Sequence, residues 1–216
     1  KAYEGHPVLW YVILYALTHI TTSLFAMQLL HLLIALCGIG LFLHFFPGKP
    51  WVKYLTVFGY FFLYEYTVIS RNYGIEITLV VGLLAAIQHQ RWWLSTVLLF
   101  LLLQTNALGC LIGCALFPVM LALQWPNHKK QAIVTAACFT FAIVFFWITV
   151  HPPADSGFSP GWTFNWRDLQ NACMAFWDVF VPLPKAQLHS WNSNFLSSAY
   201  HPWLKTALAL GLLGAA

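Results

Sequence analysis

Residues 23–50 read SLFAMQLLHLLIALCGIGLFLHFFPGKP, an uncharged apolar run that ends on a Pro-Gly-Lys-Pro breaker. A helix over residues 23–46 is long enough to cross the hydrocarbon core of a bilayer, which is roughly 30 Å thick. Proline and glycine directly after the run stop the helix where the chain reaches charged residues. This stretch therefore predicts a transmembrane helix, and it sets the class of the whole protein.

The rest of the chain has the same apolar character. Its 216 residues are 60% hydrophobic and 7% charged, and the mean hydropathy is +0.71. A soluble domain has roughly a quarter of its residues charged, so ten Lys and Arg with six Asp and Glu cannot solvate a soluble globule of this size. The composition excludes a soluble enzyme, a nucleic-acid binder and a disordered tail, and it predicts an all-α, multi-pass transmembrane helical bundle.

Two later apolar stretches are too long for single spans. The stretch 51–88 contains one polar interruption, at residues 70–74, and we expect the helix to break there. The stretch 92–124 predicts two short helices that meet at a turn over residues 104–109, where Gly109, Cys110, Gly113 and Cys114 are expected to pack against a neighbouring helix. The spans predicted after the first are 53–69, 75–88, the two short helices of 92–124, 132–150 and one that begins near residue 203.

The expected domain organisation follows from these spans. Residues 1–150 form a transmembrane domain in which residues 1–22 are an extracytoplasmic loop and an interfacial helix. Residues 151–202 form an extracytoplasmic loop, and residues 203–216 start a further transmembrane helix. Because the chain opens without Met and stops inside an apolar run, we expect a fragment that lacks an N-terminal helix and a C-terminal part.

The positions of Lys and Arg predict the orientation. Short loops on one side of the predicted bundle collect five of the ten Lys and Arg, and the short loops on the other side hold only Arg71. Positive charge marks cytoplasmic loops. The residues that define the cytoplasmic side are Lys49, Lys53, Arg91, Lys129 and Lys130.

Three ionisable residues are predicted near the extracytoplasmic ends of their helices: Glu65, Arg71 and Glu76. A charge in a transmembrane segment costs about 2.5 to 3.5 kcal/mol on insertion scales, so it is retained when paired or functional. In one interpretation Arg71 only neutralises the glutamates and fixes the helix break. In the other, the three line an outward-facing polar cavity in which the guanidinium binds an anion.

The segment Tyr3-Glu4-Gly5-His6-Pro7 also allows two interpretations. Proline suits the first turn of a helix, so the segment can be a simple helix start at the membrane surface. Alternatively, the carboxylate of Glu4 and the imidazole of His6 act as a general base or bind a divalent ion. Local spacing does not decide between them.

These motifs together resemble a known family. The resemblance rests on Glu4-Gly5-His6-Pro7 followed by VLWY at residues 8–11, on the long helix after it, and on Tyr64-Glu65-Tyr66 and Ser70-Arg71-Asn72-Tyr73-Gly74. The chain resembles bacterial multi-pass membrane glycosyltransferases of the GT-C fold. Within that fold the chain looks similar to the family-39-like, protein-mannosyltransferase-related group. The resemblance covers about residues 3–150.

The resemblance implies transfer of a sugar from a polyprenyl-phosphate donor to a glycan, lipid or protein acceptor in the cell envelope. The site would face the extracytoplasmic side of the bacterial inner membrane, among membrane lipid and without a nucleic-acid partner. A metal, Mg²⁺ or Mn²⁺, is used by some members and not by others; here its ligands would be Glu4 and His6. The family also has an acidic pair in its first loop, which would precede Lys1.

The resemblance also implies residue roles. The catalytic residues would be Glu4 and His6. The donor phosphate would be bound by Arg71 and Tyr73. Glu65 and Glu76 would support the site by orienting Arg71.

Two other classes of function fit the composition. A transporter or flippase of a lipid-linked or anionic solute would use Glu65, Arg71 and Glu76 as a binding site, but it predicts inverted repeats that the sequence does not show. A non-catalytic membrane assembly subunit would use its short helices only to pack against partners.

Overall fold

The computed structural model describes residues 7–59, 62, 73–151, 166, 183–184 and 195–196. The chain divides into two compact units, Lys1–Phe158 and Ser159–Ala216. In the described part of the first unit lie seven helices: α1 Leu9–Thr18, α2 Leu24–Phe45, α3 Pro50–Val57, α4 Tyr73–Gln88, α5 Trp92–Leu103, α6 Ala107–Gln124 and α7 Lys129–Val150. In the second unit the two-residue strands β1 Leu183–Pro184 and β2 Phe195–Leu196 pair in parallel.

Three of the described helices, α2, α6 and α7, are long and apolar enough to cross a membrane, with 22, 18 and 22 residues. Large apolar side chains cover their outer surfaces, as Leu24 on α2 and Phe141 on α7 illustrate, and such faces suit contact with lipid. The prediction of an all-helical membrane protein is therefore confirmed for the described helical part.

The other helices are shorter. With 16 residues α4 is about 24 Å long, and with 12 residues α5 is about 18 Å long. Neither spans a hydrocarbon core of roughly 30 Å by itself. The first helix, α1, has 10 residues, or about 15 Å. The assignment of residues 1–22 to an extracytoplasmic loop and an interfacial helix stays a prediction, as does that of the loop over residues 151–202.

The spans predicted over 23–46, 75–88 and 132–150 correspond to α2, α4 and α7, with limits that differ by up to three residues. The turn after α5 is confirmed in position but is shorter than the predicted 104–109, since α5 ends at Leu103 and α6 begins at Ala107. The helix predicted over 53–69 is interrupted early: α3 ends at Val57, and Gly59, a poor helix former, donates its backbone N–H to Thr56 O at 3.1 Å in a tight final turn. Apart from Phe62, residues 60–69 of that span lie outside the described residues, as does the span from residue 203.

The core lies where α4, α5, α6 and α7 meet. Its buried side chains are Leu83, Leu99, Leu102, Leu103, Met120 and Ala142. Helix α6 approaches α5 closely at its glycines: a Cβ on Gly113 would lie 2.7 Å from Leu103 Cδ1, and one on Gly109 would lie 2.8 Å from Leu102 O. The predicted packing through small residues is confirmed at these two positions.

Helices α2 and α4 run parallel in a fixed register. The hydroxyl of Thr78 donates to Ile34 O at 3.0 Å, and the rings of Phe45 and His89 lie 5.2 Å apart. Both pairs are separated by 44 positions, so a residue of α4 lies beside the α2 residue 44 positions earlier. Tyr73, the first residue of α4, is then level with residue 29, and α2 extends about 7.5 Å beyond it.

Charge separates along the bundle. Three contacts bring the loops at one end together: Lys53 Nζ donates to Leu43 O at 3.0 Å, the Phe45 ring contacts that of His89, and the rings of Trp92 and His128 lie 6.0 Å apart. We call this the basic end, because every Lys and Arg among the described residues lies there. They are Lys49, Lys53, Arg91, Lys129 and Lys130. The assignment of this end to the cytoplasm stays a prediction.

Candidate functional site

At the other end of the bundle lies a group of buried polar side chains, which we call the polar cluster. It joins the first turn of α4 to the turn between α5 and α6. Its members are Glu76, Gln104, Thr105 and Asn106, which are 5%, 2%, 1% and 4% exposed. Polar groups are costly to bury among apolar helices unless they find hydrogen-bond partners, so the bonds within the cluster define its structure.

Asn106 is the centre of the cluster. Its backbone is extended, and its side-chain Oδ1 accepts the backbone N–H of Gly109 at 2.8 Å, which caps the N-terminus of α6. Its Nδ2 donates to the carboxylate Oε2 of Glu76. One side chain therefore ties the N-terminal turns of α4 and α6 together. Negative charge in the first turn of α4 is also favoured by the dipole of that helix.

Gln104 connects the cluster to two further helices. Its Nε2 donates to Ala142 O of α7 at 2.9 Å, and its backbone carbonyl accepts the backbone N–H of Leu9 in α1 at 3.2 Å. Within the described part of the chain, its buried side-chain Oε1 has no hydrogen-bond partner. The cluster thus holds one unused buried acceptor.

The first helix begins beside this cluster. Besides the bond from Leu9, the ring of Trp10 meets that of His31 in α2 edge to face, at 6.1 Å between centroids. His31 itself is buried, and so is Pro7, the last residue of the Glu4-Gly5-His6-Pro7 motif. The described end of that motif therefore enters the fold at the level of the polar cluster.

The cluster lies within the bundle, below the ends of α2 and α7 that are opposite the basic end. By the α2–α4 register, Glu76 is level with residue 32, eight residues from the start of α2 at Leu24. Ala142 lies eight residues before the end of α7 at Val150. Eight helical residues rise about 12 Å, so α2 and α7 both extend about 12 Å beyond the cluster.

Three helix N-termini meet at this depth. They are those of α1, which starts next to Gln104, of α4, which carries Glu76, and of α6, which Asn106 caps. Helix N-termini carry the positive ends of helix dipoles, and here the carboxylate of Glu76 already lies beside two of them.

The structure describes two of the six residues predicted for the site. Glu76 is buried in the polar cluster, and Tyr73 is partly exposed at the start of α4. In the described structure Glu76 is bonded to Asn106, and its predicted role in orienting Arg71 stays a prediction. The predicted site residues that lie outside the described residues are Glu4, His6, Glu65 and Arg71.

Sequence reasoning did not assign Asn106 or Gln104 to the site. The available signal was the polar interruption of a long apolar stretch, together with an Asn three residues before Gly109, which is typical of a helix N-cap. In the described part of the chain no three His, Cys, Asp or Glu side chains lie close enough to hold a metal ion. Metal binding by Glu4 and His6 stays a prediction, since both residues are outside that part.

Comparison with known proteins adds no relative to this picture. No protein-family model, no curated protein and no solved structure matches the chain.

Proposed function

We propose that this protein is a membrane glycosyltransferase of the GT-C type. It would move a sugar from a polyprenyl-phosphate donor to an acceptor on the extracytoplasmic face. The observation that carries the proposal is the position of the polar cluster, about 12 Å below the ends of α2 and α7, where the Glu4-Gly5-His6-Pro7 motif ends at the buried Pro7.

The depth of the cluster suits an amphiphilic donor. A polyprenyl phosphate keeps its tail in the hydrocarbon and its charged head near the membrane surface. A site at this depth in the bundle would receive the phosphate and the sugar while the tail stays in lipid. Because Glu76 and Asn106 already occupy the N-termini of α4 and α6, the charge of the phosphate is met in this proposal by Arg71.

The chemistry proposed is a single displacement. An acceptor hydroxyl oxygen attacks the anomeric carbon of the sugar, and the bond between that carbon and the phosphate oxygen breaks. The polyprenyl phosphate leaves with the bonding electron pair, and the hydroxyl proton passes to a carboxylate base. We assign the base role to Glu4 or to a group that Glu4 orients, a positioning role to His6, and stabilisation of the departing phosphate to Arg71 and Tyr73.

Glu76 and Asn106 act in this proposal as positioning residues. Their hydrogen bond fixes the N-terminal turn of α4, on which Tyr73 is carried, against the start of α6. Loss of the bond would shift that turn without removing a group that touches the substrate. Catalysis is sensitive to such shifts, since misplacement by about 1 Å can cost about 100-fold in rate.

The test is transfer of labelled sugar from a panel of polyprenyl-phosphate donors by membranes that contain the full-length protein. We expect activity in the parent, loss in Glu4→Gln and Arg71→Ala, and a reduced rate in Asn106→Ala at equal abundance. Asn127→Ala is the matched control, since Asn127 is an exposed asparagine in the loop at the basic end, and it should keep the parental rate.

One outcome would overturn the residue assignments, and another would overturn the proposed function. Transfer that persists in both Glu4→Gln and Arg71→Ala would assign the activity to another site. Absence of transfer over the whole panel, from folded and abundant protein, would favour a transporter of a lipid-linked or anionic solute, or an assembly subunit.

A further inference from the structure

A second feature lies in the other half of the bundle, away from the polar cluster. A cavity of about 750 Å³ runs between α2, α4 and α5. Along α4 its lining extends from Thr78 to His89, which is 11 residues or about 17 Å. The cavity is therefore an elongated groove that follows the helix axis toward the basic end.

The walls and floor of the groove are apolar. Leu41 of α2 and Leu98 of α5 form opposite walls, and Gly82 of α4 forms the floor between them. A Cβ on Gly82 would lie 3.6 Å from Leu98 Cδ1 and 3.8 Å from Leu41 Cδ1, which is ordinary contact distance. The glycine leaves the groove deep at its middle, where a larger side chain would fill it.

One end of the groove is cationic. His89, Gln90 and Arg91 line it at the basic end, and the side chain of Arg91 is exposed. The one acid among the described residues is Glu76, which lies in the first turn of α4, 12 residues or about 18 Å from its last residue, Gln88. No carboxylate in the described part of the chain is thus available to neutralise this guanidinium. The lysines at this end add further positive charge.

We infer that the groove binds an anionic phospholipid of the leaflet that faces the basic end. One acyl chain would lie over Gly82 between α2 and α5, and the phosphate would pair with Arg91. A guanidinium binds phosphate oxygens through two parallel hydrogen bonds, and an anionic head is favoured over a zwitterionic one because the latter would bring its own positive charge to this cationic end. The site is separate from the proposed glycosyl-transfer site and does not depend on that function.

The charge pattern selects this occupant. A second copy of this chain would bring the same cations to the groove, and the described residues of this end include no acid to pair with them. An anionic phospholipid supplies both an apolar chain for the walls and a negative head for the cationic end. Clusters of Lys and Arg next to membrane spans recognise anionic lipid in this way.

The inference can be tested on the purified full-length chain by native mass spectrometry. Dioleoyl phosphatidylglycerol and dioleoyl phosphatidylcholine would be titrated in turn, and the fraction of protein with bound lipid counted. We expect a saturable first site for phosphatidylglycerol and at least about tenfold weaker binding of phosphatidylcholine. Arg91→Gln should remove most of that difference, while Lys130→Gln, a loss of one exposed charge at the same end, should keep it.

A second pair of variants tests the groove itself. Gly82→Leu fills the floor and should abolish the saturable site with all cations still present. Gly40→Leu is its control, because Gly40 is exposed on α2 and a Cβ there would meet nothing within 4 Å. Should Gly82→Leu fail to fold, the Arg91→Gln titration decides alone. Equal affinity for the two lipids in the parent, or unchanged selectivity in Arg91→Gln, would overturn the inference. So would a Gly82→Leu variant that keeps its bound lipid but changes from dimer to monomer, because the groove would then be an interface between two copies of the chain.

Discussion

The carboxylate of Glu76 accepts a hydrogen bond from the side-chain amide of Asn106, which also caps helix α6. The two residues are 30 positions apart, and each lies at the start of a helix that is shorter than its neighbours α2 and α7. Because both are buried, each depends on the other for a partner that lipid cannot supply.

Substitution of Asn106 by Ala should destabilise the protein. The cap of α6 contributes about 1 kcal/mol, and a buried carboxylate left without its donor adds about 1–3 kcal/mol. The free energy of unfolding in mixed detergent micelles would measure the loss. In a double-mutant cycle with Glu76→Leu, which removes the acceptor, the two effects should be clearly non-additive; strict additivity would contradict a direct Glu76–Asn106 bond.

The bond from Gln104 to α7 should make a smaller contribution. Gln104→Met keeps the side-chain length but loses the hydrogen bond to Ala142 O, so we expect a loss of about 0.5–1.5 kcal/mol. Because Oε1 has no partner in the described part of the chain, no second bond is lost. A cost of several kcal/mol in the same unfolding assay would show that Oε1 has a partner after all.

Two glycine-to-alanine substitutions should have opposite effects. Gly109→Ala places a Cβ 2.8 Å from the backbone oxygen of Leu102, and such overpacking costs about 1–3 kcal/mol. Gly40→Ala meets no atom within 4 Å and should be neutral or stabilising by up to about 1 kcal/mol, since alanine is the better helix former. Melting temperatures of the two variants, measured side by side, would test this. Equal melting temperatures would be inconsistent with the close approach of α6 to α5.

A hydrogen-bonded group near the basic end should also contribute to stability. The hydroxyls of Thr96 in α5 and Thr135 in α7 lie 2.8 Å apart, and Gln131 Nε2 donates to Thr96 Oγ1 at 3.2 Å. Thr96→Val would leave two buried partners unbonded, at about 1–3 kcal/mol. Thr140→Val is the control, since exposed Thr140 bonds to Ala136 O of its own helix. If both variants lost the same free energy of unfolding, the bonds between α5 and α7 would not contribute to stability.

The sequence alone predicted the class of protein and several helix limits. An uncharged run over 23–46 must lie in lipid or in a core, and Pro47 with Gly48 must end it, so α2 was predictable to within a residue. The interruption at residues 104–109 was predictable for the same reason, because the polar groups of Gln104 and Asn106 interrupt an apolar helix. These features depend on local composition, which the sequence displays directly.

Only the tertiary structure decided which residues meet. Helices such as α2, α4 and α7 are apolar on nearly all sides, so no polar face indicates which side packs against a neighbour. In a bilayer, lipid is as apolar as leucine, and helix pairing depends on close packing and a few polar bonds. The register of α2 with α4, the Glu76–Asn106 bond and the 12 Å depth of the polar cluster arise from that packing, which pairs residues 30 to 44 positions apart and leaves no periodic pattern in the chain.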